Sequence, residues 1–133
     1  MGMQVFISYS AKDKGLAKLL AEQMSEAGYT VSWPDDRSLL PGDNMALKLG
    51  QALERSDAMI VLVSPEAARS PSVREEISYA LGSPRYAGRV VPVEVRRTTE
   101  MPWVLGRLGT VRIGRNRARL AERVISQLEP TAE

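Results

Sequence analysis

The chain has 133 residues, 44% apolar and 26% charged, with a formal net charge of +2 and neither cysteine nor histidine. That length suits one hydrophobic core, and the balance of apolar and charged residues excludes a disordered or collagen-like chain. The missing His and Cys exclude serine–histidine and cysteine–histidine catalysis, disulfides and the usual zinc sites, so any catalysis falls to carboxylate, hydroxyl, lysine or arginine.

No apolar run approaches the roughly 20 residues that cross a bilayer, and the N-terminus lacks a signal-peptide pattern. Phe6 stands where a myristoylation signal needs Ser or Thr. With the absence of Cys, these features lead us to expect a cytoplasmic protein without membrane contact.

Met3–Ser8 (MQVFIS) reads as a first strand. Ser10 and Asp13 then precede Leu16, Leu19, Leu20 and Met24 at helical spacing, so Ser10 is expected to cap a helix with Asp13 as its acidic first-turn partner, and Gly28 to close it. Thr30–Trp33 is the second strand. The polar loop from Pro34 to Asp43 ends in Pro41-Gly42, which suits a type II turn, and Asp43 or Asn44 caps the next helix, whose stripe is Met45, Leu49, Ala52 and Leu53.

Ala58–Val63 (AMIVLV) is the most apolar run and does not alternate, as expected of a central parallel strand buried on both faces. Ser70-Pro71-Ser72 begins a helix running to about Leu81, with Ser72 and Glu75 spaced as a capping box. Arg89–Val95 is a fourth strand, in which Pro92 implies an edge-ward position or a bulge. Thr110–Ile113 is the fifth strand, and Leu120, Val124, Ile125 and Leu128 mark a closing helix. We read residues 1–129 as one domain and 130–133 as a tail.

Strands alternating with helices imply parallel pairing and right-handed crossovers, hence a flavodoxin-like, doubly wound α/β fold: a five-stranded parallel sheet with helices on both faces. Ligands of such sheets sit outside the carboxyl ends of the strands where the strand order reverses, which singles out the loops after Ser8, Trp33 and Val63.

At about 100° per residue from Val73, Ile77, Ala80 and Leu81 share one helix face, Glu75 points away from it, and Glu76 falls near its edge. Glu76 is therefore the acid best placed to be partly desolvated while reaching a cleft, unless it serves as a boundary residue that caps or pairs with an arginine. A phospho-acceptor receiver is excluded, because Ser8-Tyr9-Ser10 and Ser64-Pro65 occupy the places of its acids. Neither a dinucleotide-binding fingerprint nor a Walker A loop is present. Between Arg85 and Arg123 lie ten arginines against three glutamates, whereas residues 1–84 carry more acids than bases. The basic third suits a solvated surface or a face for an acidic neighbour, and we do not expect direct contact with nucleic acid.

Phe6-Ile7-Ser8-Tyr9-Ser10 with Lys12-Asp13, the loop from Trp33 to Asn44 with Pro41-Gly42-Asp43, Ser56-Asp57-Ala58 through Ser64-Pro65, and Ser70 with Glu76-Ile77 follow one another as in Toll/interleukin-1 receptor (TIR) domains, which the chain resembles over nearly its whole length, bacterial members especially. The resemblance implies association with other TIR domains, a sensor or effector partner, and in many members cleavage of NAD⁺ at the nicotinamide–ribose bond in defence or cell-death signalling. In the cleaving members a glutamate follows a tryptophan by four residues. Glu76 matches that glutamate and is the implied catalytic residue, while Ser72 stands in the tryptophan's place. The implied substrate contacts are Tyr9 and Ser10 on the phosphate and ribose side, Ser72 beside the acid, and Trp33, Asp35, Pro41 and Gly42 on a gating loop. No cofactor or metal is implied, NAD⁺ being the substrate. Trp103, after Met101-Pro102, is expected to pack.

Overall fold

The computed structural model describes residues 3–33, 45–114 and 117–129. Five strands, β1 (Gln4–Ser8), β2 (Thr30–Ser32), β3 (Ala58–Val63), β4 (Val90–Glu94) and β5 (Val111–Arg112), form one parallel sheet in the order β2-β1-β3-β4-β5. The helices are α1 (Lys14–Glu26), α2 (Met45–Arg55), α3 (Pro65–Ala68), α4 (Pro71–Leu81) and α5 (Leu120–Leu128). The expected doubly wound architecture is present. The expected Pro41-Gly42 turn and the Asp43 or Asn44 cap lie outside the described residues, as does Asp35.

Side-chain alternation along the strands builds two core layers. Val5 and Ile7 of β1 and Ala58, Ile60 and Leu62 of β3 pack with α1 and α5 on one face. Phe6, Met59 and Val61 point to the other, against Leu53, Ala67, Val73, Ile77 and Ala80 of α2, α3 and α4. This two-sided burial explains the unbroken apolar run of β3, since each fully buried Leu, Ile or Val contributes about 1.5–3 kcal/mol.

Pro92 pairs in register with Val61, inside the sheet rather than on an edge strand. The Val95 N–H donates to the Val63 carbonyl of β3 at 2.9 Å, and the Glu94 carbonyl accepts from the Ile113 N–H at 3.1 Å, so even-numbered residues of β4 face β5. β5 starts opposite Val93. The missing N–H of Pro92 therefore points where no strand has yet begun, a local edge within an interior strand.

Several boundaries differ from the sequence reading. Ser10 makes no side-chain cap; a 3₁₀ turn (Ala11–Asp13) leads into α1 instead. α3 was not anticipated, although Ser64-Pro65 carries its signature: the Ser64 hydroxyl accepts from the Ala67 N–H at 3.1 Å, with Pro65 in the first turn. Trp103, expected to pack, is 77% exposed in a 3₁₀ segment, and the Arg107 guanidinium lies 5.7 Å from its ring centroid. That cation–π contact, with the ring's amphipathic character, makes such exposure tolerable.

Gly28 joins α1 to β2 with φ of +99° and nothing crowding a would-be Cβ. Gly28→Ala is thus expected to cost about 1 kcal/mol or more through backbone conformation alone, read as a lower urea midpoint with an unchanged m-value.

Candidate active site

The order of the sheet reverses between β1 and β3, and at their carboxyl ends the chain leaves in opposite directions. In doubly wound folds that divergence is where ligands bind, and buried polar side chains gather at this point. Ser8 ends β1 and Ser64 follows β3; both are fully buried.

α4 supplies the acid. Its cap is Ser70, whose hydroxyl accepts from the Val73 N–H at 3.3 Å, with Pro71 as the first helical residue. The expected Ser72–Glu75 box does not start the helix, because Ser70 already occupies the capping position; Ser72 lies one residue inside and is exposed. Val73, Ile77 and Ala80 form the buried face as expected, whereas Leu81, the helix's last residue, is 40% exposed at its margin. Glu75 faces solvent. Glu76 lies deeper than an edge position suggests: it is 6% exposed, and its Oε1 accepts a hydrogen bond of 2.6 Å from the Ser8 hydroxyl. Burial pushes its pKa up to about 7, the Ser8 hydrogen bond pulls the other way, and the neighbouring charge of Glu75 adds a further upward push.

A second acid sits alongside. Asp13 is 4% exposed. Its Oδ2 accepts from the Ser64 hydroxyl at 2.9 Å and, at 3.5 Å, from that of Ser10, while Oδ1 takes the Arg96 guanidinium at 2.9 Å. The same guanidinium nitrogen reaches Glu66 Oε1 of α3 at 2.7 Å and holds that carboxyl below its usual range. Arg96 thus ties together the segments that follow β1, β3 and β4 at the active end of the sheet.

Tyr9 and Trp33 meet with ring centroids 6.2 Å apart and planes tilted by 42°. Both pack against the layer of α1 and α5, whereas Glu76 belongs to the helix of the opposite layer. Of the residues singled out from sequence, the structure brings Tyr9 and Trp33 together and buries Ser10 beside Asp13. Asp35, Pro41 and Gly42 fall outside the described residues. Sequence reasoning missed Ser8, Asp13, Ser64 and Arg96. Ser8 did carry a signal, being a hydroxyl at an inward position two residues after Phe6 in an apolar strand. Arg96 carried none, lying among ten arginines. Among the described residues no three His, Cys, Asp or Glu side chains gather as a metal site would need, and no helix is long and apolar enough to cross a membrane.

A protein-family model described as TIR domain matches residues 5–128. Among solved structures, the chain is similar to the TIR domain of the Toll-related receptor TRR-2 of Hydra magnipapillata, with 19% identity and a TM-score of 0.74 over 94% of this chain and 97% of that one. It is similar to a TIR-STING receptor from C. gigas in complex with 2',3'-cGAMP, with 22% identity and a TM-score of 0.74, covering 95% of this chain but 39% of the receptor. The TIR domains of the activated Roq1 resistosome align at 26% identity and a TM-score of 0.57, over 69% of this chain and 57% of that one. No curated protein matches.

A carboxyl raised from 4.5 to about 7 makes folding less favourable as pH climbs through that interval, because the unfolded chain releases its proton first. Below pH 4.5 both states are protonated and nothing is lost; above pH 7 the loss is complete, at most about 3 kcal/mol. Glu76→Gln is therefore expected to be more stable than the native chain at pH 8 and to lose that advantage near pH 4.5, in urea denaturation at both values.

Proposed function

This chain belongs to the TIR domain family, and from that premise we propose that it cleaves NAD⁺ at the nicotinamide–ribose bond, with Glu76 as the catalytic carboxylate and self-association as the activating event. The observation that carries this reading is the buried Glu76 beside Ser8, where the sheet's order reverses. A carboxyl with a pKa of about 7 is half ionised at neutral pH, a costly arrangement that a purely structural residue does not require. Two of the similar structures are TIR domains of a resistosome recognising a pathogen effector and of a receptor holding 2',3'-cGAMP, which supports a role in defence signalling.

The reaction suits a site without histidine. Cleavage of the bond between the ribose C1' and the nicotinamide nitrogen returns the electron pair to that nitrogen, so the leaving group departs neutral and needs no acid. Positive charge develops on the ribose. The Glu76 carboxylate stabilises that charge and accepts the proton of the attacking nucleophile, as carboxylates do in glycoside hydrolysis. Water as nucleophile gives ADP-ribose, and an internal nucleophile gives a cyclic product. In this reading Tyr9, Ser10, Trp33, Asp35, Pro41, Gly42 and Ser72 are the substrate contacts.

One observation favours a second reading, a TIR module that works by association alone. Ser72, in the place of the tryptophan found in cleaving members, is exposed and short, and provides no aromatic wall. Incubation of concentrated protein with NAD⁺ separates the two. Release of nicotinamide that Glu76→Ala abolishes and Glu75→Ala leaves within about twofold supports cleavage; no release from crowded native protein supports the module. Self-association in either reading draws on an acidic first part of the chain and an arginine-rich last third. The mean particle mass in light scattering is accordingly expected to fall as salt rises from 50 to 500 mM, because exposed charges are screened.

A further inference from the structure

We propose that Ser8 is a positioning residue for Glu76: its hydroxyl holds Oε1 and favours the ionised carboxylate over the protonated acid. The catalytic part of this proposal rests on the reading of Glu76 given above; the part that concerns the ionisation of Glu76 does not.

The geometry is specific. Ser8 follows Phe6 by two residues, so its side chain points into the layer of α2, α3 and α4, and its register partner Val61 points the same way. That layer is otherwise apolar here, and an alanine or valine would fill the position without needing a partner. A hydroxyl buried in such a place is costly unless bonded, and a hydroxyl with a carboxyl more so than an apolar pair. The separation of 2.6 Å lies at the short end for O–H···O bonds, as suits a hydroxyl donating to a carboxylate oxygen. Donation of this kind favours the charged form and opposes burial.

No nearby cation performs that task among the described residues. The elements packed most extensively on α4 are β1, α2, α3 and the turn Pro84–Tyr86. Glu66 of α3 is engaged by Arg96, Arg69 pairs with Glu100 at 3.2 Å, and Arg85 pairs with Asp57 at 3.3 Å. Glu54 and Arg55, at the end of α2, face solvent. Tyr86 points its hydroxyl to the Leu53 carbonyl at 2.6 Å. The charge that does act on Glu76 is that of Glu75, which disfavours ionisation. Ser8 therefore stands against both burial and a like charge.

The test is a titration of the Glu76 carboxyl by ¹³C NMR in the full chain, with the resonance assigned by its loss in Glu76→Gln, in native protein, Ser8→Ala and Ser8→Thr. Ser8→Ala removes one oxygen and is smaller, so it fits the site. Its Glu76 midpoint is expected to move up by about one pH unit, which lowers the ionised fraction at pH 7 about fivefold. Ser8→Thr, which keeps the hydroxyl, returns the midpoint toward native. Nicotinamide release by Ser8→Ala is expected to lose kcat about fivefold at pH 7 with KM nearly unchanged, and to recover by pH 8.5. A midpoint in Ser8→Ala within 0.2 pH units of native overturns the proposal. So does a lower one. A shifted midpoint in a protein that releases no nicotinamide upholds the role of Ser8 and removes only the cleavage reading.

Discussion

Two carboxylates are carried below the surface at the point where the sheet reverses its order, and much of the architecture serves to make that tolerable. Glu76 leans on Ser8, and Asp13 on Ser64, Ser10 and Arg96. Serine suits this work because its side chain is short enough to end a buried strand without displacing the core, and its hydroxyl can donate to a carboxylate or accept from a backbone N–H. Ser64 does both, donating to Asp13 while capping α3. Among the described residues no buried side-chain nitrogen or oxygen lacks a partner. The two acids are nevertheless treated differently. Asp13 has a guanidinium and two hydroxyls, whereas Glu76 has one hydroxyl and a like-charged neighbour. The acid left under-compensated is Glu76, the one whose ionisation is poised near neutral pH.

The fold was legible because its signals are local and repeated. β3 reads as central from six apolar residues, and α4 discloses its buried face through Val73, Ile77 and Ala80 at helical spacing. The depth of Glu76 was only partly legible. Helical angle places a residue around an axis, but Glu76 is covered because β1 lies alongside, and no angle within α4 contains that fact. The Asp13–Arg96 contact was illegible for a similar reason. Eighty-three positions separate its partners, and sequence spacing has no period that links them.

Where the reading failed, a competing local interaction had won. Ser10 and Ser72 looked like caps by spacing, yet Ser70 with Pro71 capped α4 and a 3₁₀ turn introduced α1. Trp103 was expected to pack, although a neighbouring arginine gives an aromatic ring a reason to remain outside. Pro92 was read as edge-ward or bulged: it avoids a hydrogen-bonded position in an interior strand by facing the side on which β5 has not yet begun.

The Arg96 clasp has a bearing on how the chain assembles in time. Asp13 lies just after the first strand and Arg96 just after the fourth, so their pairing cannot form until β1, β3 and β4 are side by side. It closes one of the longest loops in the chain, after the strand pairings have met most of the entropic cost of bringing its ends together. A contact of that kind is a late one. It acts as a brake on unfolding more than as an aid to folding, and so lengthens the lifetime of the assembled crevice rather than hastening its arrival.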